Sequence, residues 1–178
     1  ILHALREEYI RKYGEIIGDP IVLKQFEAWN LHGLGELAQL QSQYDRALAC
    51  FNETLKIQNE VYRVYRGDDA GDLDIAITLN SLAKVWLTKG EAGHQKAREY
   101  LAQSLGMQSN LYGQEFCHTV TAMTLYLFGC LEYAENNYDE AMEHFTKAKD
   151  TLIKIHGEHN TYSSITMIED FITKIKTL

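Results

Sequence analysis

At 178 residues, with 46% hydrophobic and 24% charged, the chain has the balance of a globular protein and the length of one domain with a sizeable core. A formal net charge of −8 disfavours non-specific binding to nucleic-acid backbones or anionic membranes, since both need basic patches. No apolar run reaches the roughly 20 residues of a membrane-spanning helix, and no signal-peptide pattern is visible.

Residues 1–13 read as a helix with Leu2, Leu5, Tyr9 and Tyr13 on one side. Asp19-Pro20 opens the next helix, to about Gln41, with Asp as N-cap and Pro pre-set for the first helical position. Tyr44 to Arg66 follows. The stretch Gly67 to Asp74, GDDAGDLD, has the partly alternating acids of a calcium loop but lacks the closing glutamate, and reads instead as an acidic loop capping the helix Leu73–Lys89. Gly90 to His94 is expected to be a turn, followed by helices at Gln95–Tyr112, Thr119–Glu135 and Tyr138–His156, and by a last helix from about Thr161 to Leu178. Gly14, Gly67, Gly113 and Gly157 each follow a helix end, where glycine readily takes the left-handed conformation that caps it.

These helices repeat. Leu125, Phe128 and Gly129 lie on one helical face; beyond the Asn136-Asn137 turn, Tyr138, Ala141, Phe145 and Ala148 lie on another. Gly129 and Ala141 are small where the two faces must meet, which lets antiparallel helices approach closely. The same spacing runs from Leu31, Leu34 and Gly35 through Tyr44 to Ala47 and Phe51, and from Leu79, Leu82 and Ala83 to Ala97 and Leu101. The alanines at 47, 97 and 141 set periods of 50 and 44 residues, the mark of a solenoid of helix pairs.

The small residue on the first helix, the aromatic at the turn and the Ala-x3-Phe on the second resemble the tetratricopeptide repeat family, in the extended form of the kinesin light chains. The resemblance covers nearly the whole chain. It implies an all-α fold, a right-handed superhelix of about eight antiparallel helices in a single domain over 1–178. Residues 1–16 would supply the second half of a partial repeat, 20–66, 72–112 and 117–156 the helix pairs, and 161–178 a C-terminal capping helix. Ile172 stands there where earlier repeats have Gly35, Ala83 and Gly129, as suits a helix with no partner after it. An opening at Ile1 rather than Met is the expectation for a piece of a longer polypeptide.

No catalytic or metal constellation rises above background. His156 and His159 flank a turn that breaks any common face, Cys117-His118 is adjacent only in sequence, and Glu140 with His144 lacks the second histidine of a zinc protease motif. No phosphate-binding glycine loop is present. Cys50, Cys117 and Cys130 are odd in number and widely spaced, so a reducing, cytoplasmic setting is expected rather than a disulfide framework.

Function is therefore expected from shape: a non-enzymatic scaffold binding a peptide segment or partner protein in a concave groove, with no cofactor, metal, nucleic acid or membrane, and with its oligomeric state open. The groove candidates are Trp29, His32, Glu36 and Gln39 on one helix, Asn80 and Lys84 on the next, and Met123, Tyr126 and Tyr133 on the third. Leu79-Asn80-Ser81-Leu82-Ala83 is similar to an element of kinesin-light-chain repeats, and the resemblance implies that Asn80 bonds a peptide backbone. Two alternatives stay open: an accessory region of a larger enzyme, similar to that of SET/MYND methyltransferases, and a receptor for a small signalling peptide.

Overall fold

The structure, a computed structural model, describes residues 20–66, 73–113, 118–157 and 163–177. Among them the secondary structure is wholly helical: α1 (Pro20–Leu40), α2 (Tyr44–Arg66), α3 (Leu73–Thr88), α4 (Glu91–Tyr112), α5 (Thr119–Ala134), α6 (Tyr138–His156) and α7 (Ser163–Lys176). The helix expected over 1–13 and most of the acidic loop lie outside the described residues. The chain divides into two compact units, Ile1–Ala70 and Gly71–Leu178. The helix spacing alone marks no boundary there.

In the first unit α1 and α2 form an antiparallel hairpin closed by a three-residue turn. Gln43 N–H donates to the Ala38 carbonyl at 2.9 Å and Ser42 takes a left-handed φ of 58°. This satisfies carbonyls that the helix end would otherwise leave open. The second unit repeats the device at Asn136, whose φ is 64°, with Asn137 N–H on the Glu132 carbonyl at 2.9 Å. Asparagine tolerates this conformation better than most residues.

The close contact expected between paired helices is present. A Cβ placed on Gly129 would lie 2.6 Å from Phe145 Cε1, and one on Gly35 would lie 2.6 Å from Phe51 Cε1. Phe51 and Phe145 are fully buried, as are Ala47, Ala97 and Ala141. Ala28, Ile57 and Val61 complete the first hairpin's core.

In the second unit, α3–α4 and α5–α6 are hairpins and α7 packs on α6. One cluster joins the hairpins, with Ala83, Ala97 and Leu101 against Leu127, Phe128 and Leu131. Another joins α5 and α6 to Ile168 of α7, with Phe171 partly buried against it.

Two expectations need correction. Residues 91–94 are helical rather than a turn. They form the first turn of α4, where Gly93 lies so close to α3 that a Cβ would meet the Trp86 carbonyl oxygen at 2.0 Å. Leu34, placed by its spacing on the buried face, is instead exposed, whereas its counterparts Leu82 and Phe128 are buried. Phe128 is covered by α4, the second helix of the hairpin before it; among the described residues α1 has no such neighbour.

Candidate functional site

The nine groove candidates fall into three groups. Trp29, Glu36, Lys84 and Met123 are exposed, His32, Gln39, Tyr126 and Tyr133 are half-buried, and Asn80 is buried, at 4% exposure. Four of the nine belong to the first unit and five to the second.

Asn80 is therefore a correction. Its face of α3 meets α5, where the carboxamide Nδ2 donates to Thr124 Oγ1 at 2.9 Å. Gln108 of α4 donates to the same hydroxyl at 3.0 Å and to Ser104 Oγ at 3.0 Å, while Thr121 donates to Gln108 Oε1 at 2.7 Å. Ser104 Oγ in turn donates to the Ala76 carbonyl at 3.2 Å. Asn80 is one member of a buried polar network linking α3, α4 and α5, and its amide is spent inside the protein. Such groups cost free energy when buried unpaired, so the network fixes how the helices fit.

Tyr126 and Tyr133 face α7. The Tyr126 ring lies 6.2 Å from that of Phe171 and 5.9 Å from Phe145; Tyr133 lies 5.5 Å from Phe171 and 5.6 Å from Tyr138. Burial raises the pKa of both the Tyr126 phenol and the Cys130 thiol, the thiol's to about 11. A thiol held protonated in this way is no activated nucleophile. His32 packs its ring 5.1 Å from Phe51, with Glu36 Oε1 3.8 Å from its Nε2.

Lys84, Met123 and Tyr126 are brought together. They line a cleft of about 330 Å³ in the second unit, whose other walls include Leu152 and His156 of α6 and Met167 and Ile168 of α7. The lining is mostly apolar and contains no carboxylate. Met123 and Met167 are each about half exposed, at 49% and 51%. Sequence reasoning weighed His156 only as a metal ligand and passed over Met167. Only the packing of α7 on α6 brings them beside Met123.

A second constellation was also missed. Arg98 of α4 donates to Glu132 and, at 2.5 Å, to Glu135, while His94 Nδ1 lies 3.3 Å from Glu135 Oε1. Asn137 donates to the other Glu132 oxygen at 2.8 Å. The Arg98 guanidinium, backed by Asn137, holds the Glu132 carboxyl below its usual range. Nearby, His144 stacks on Phe128 with centroids 5.1 Å apart, and burial pushes its pKa down. Arg98 and His94 face the Glu132 and Glu135 carboxylates here, as in a structural tie between α4 and the end of α5. Spacing could not have found it, because Arg98 lies 34 and 37 residues from its two carboxylates.

His118, weighed beside Cys117 as a possible catalytic neighbour, caps α5 instead: its Nδ1 accepts from Val120 N–H at 3.2 Å. Among the described residues no three His, Cys, Asp or Glu side chains are grouped to hold a metal ion. No helix among them is long and apolar enough to cross a membrane. No family model matches the chain, and no curated protein matches it either.

Proposed function

We propose that the chain is a non-enzymatic protein-interaction module, an α-solenoid of the tetratricopeptide type working in a reducing compartment. The recurring small-residue contacts at Gly35–Phe51 and Gly129–Phe145 support the repeat reading. Free Cys50 and Cys130 suit the compartment.

One observation carries the interaction reading. Helix α1 buries Ala28, Gly35 and Ala38, yet Leu23, Phe26, Trp29, Leu34, Leu37 and Leu40 of the same helix are all exposed, from 41% to 83%. Phe26 and Trp29 pack edge to face at 5.4 Å, making a preformed aromatic corner. Scattered exposed apolar residues are ordinary, but a contiguous set of this size on one helix marks a contact surface. Aromatic residues are the commonest anchors of such contacts.

The test compares wild type with Trp29→Ala/Leu37→Ala in quantitative co-precipitation from extract, with Met123→Ala as a second-unit control. Loss of an aromatic anchor costs about 2 kcal/mol or more, so a partner retained by wild type should be lost at least tenfold, with the melting temperature unchanged. A capture profile indifferent to both variants would remove the proposal.

A further inference from the structure

We infer that the cleft between α5, α6 and α7 binds a small amphipathic carboxylate, with its apolar body among Met123, Tyr126, Met167 and Ile168 and its acid group at Lys84. The argument is independent of the protein partner proposed for α1.

Size comes first. A volume of about 330 Å³ lies at the small end of the range that takes organic ligands, about 300–1,000 Å³. A lining that is mostly apolar supplies affinity without direction. The direction comes from charge. The whole chain has 25 acidic against 17 basic residues, yet this lining contains an ammonium and no carboxylate. Lys84 is exposed and has no ion-pair partner among the described residues. An anion seated there gains a charge-assisted hydrogen bond beside apolar walls, where the local dielectric makes it stronger than in water. The Thr119 and Ser164 positions add hydroxyl-bearing residues to the lining.

The two methionines favour a flexible chain. Their unbranched thioethers adapt to irregular partners, and both are half exposed in the free protein, so a guest would bury them. A carboxylate with an alkyl body of eight to ten carbons is the probe that joins these demands.

The experiment titrates hexanoate, octanoate and decanoate, with 1-decanol as the uncharged control, into protein bearing 13C-methyl methionine. Met123 and Met167 lie in the cleft, and Met107 and Met142 are not on its lining, so the protein carries its own control. The expected result is a saturable shift confined to Met123 and Met167. Affinity should rise about fourfold per added methylene until the cleft is full. Lys84→Gln should weaken decanoate at least tenfold and leave decanol unchanged, while Lys84→Arg should restore it. Met167→Trp, at an exposed position, should block all the alkyl probes. Shifts spread over all four methyls, or decanol binding as tightly as decanoate, would overturn the assignment. So would the absence of any shift, which would leave the cleft to a partner protein's side chain.

Discussion

Gly129 shows how one residue can hold a repeat together. Its missing Cβ is where the Phe145 ring sits, 2.6 Å from the place that atom would occupy. Gly129→Ala should therefore destabilise by about 1–3 kcal/mol, as overpacking does. Phe145→Leu in the same chain should recover part of the loss, because the two substitutions share one contact. Urea midpoints of the two single variants and the double variant decide it. Strict additivity would mean that the ring is not the obstacle. Asn80 calls for a second prediction. With its carboxamide bonded to Thr124, Asn80→Ala should cost about 1–3 kcal/mol in stability by leaving buried partners under-satisfied. An unchanged midpoint together with weakened partner binding would return Asn80 to the surface role expected from the sequence.

Among the elements, α5 is held from both sides. Arg98 of α4 pairs with Glu132 at its last turn, and Arg98 keeps that carboxyl ionised below the usual glutamate pKa of about 4.3. A carboxyl whose folded pKa is depressed contributes stability that is complete above the unfolded value. That contribution is lost as pH falls through the folded one. Wild type should therefore lose stability over glutamate-neutral Glu132→Gln as pH falls below about 4.3, and the gap between them at pH 7 should narrow. A gap independent of pH, followed by urea unfolding, would show that the ion pair contributes nothing to this tie. On the other side, Phe171 of α7 stacks on Phe145 at 4.9 Å and meets Tyr126 and Tyr133. Phe171→Ala should cost about 2–4 kcal/mol, somewhat below a full core deletion because the ring is only partly buried. A cost under about 0.5 kcal/mol in urea unfolding would mean that α7 is held by Ile168 and not by the aromatic cluster.

Over the whole molecule, the chain is two compact units with separate cores. The surface is equally uneven. The acidic chain concentrates large exposed apolar groups on α1, and its second unit opens a cleft with an ammonium and no carboxylate.

The sequence by itself determined the helices and their pairing. Apolar spacing of three and four residues is a local signal, and so are the turn residues at Asn136-Asn137 and the small residue opposite a phenylalanine. It could therefore mark Gly129 as a close-contact position and Gly35 as its counterpart, and the structure shows Phe145 and Phe51 as the residues they meet, each within one hairpin. It could not say which remaining face of a helix stays open, because that depends on elements tens of residues away. The spacing put Asn80 on an open face and Leu34 on a buried one, and the structure reverses both. Tertiary packing buried Asn80 against Thr124, 44 residues on, and left Leu34 exposed where its counterpart Phe128 is covered by α4. The cleft is likewise a tertiary product. Its walls come from four helices spanning Lys84 to Ile168, and only the docking of α7 on α6 brings Met167 beside Met123. Helix formation is set by neighbours along the chain, whereas exposure is set by neighbours in space.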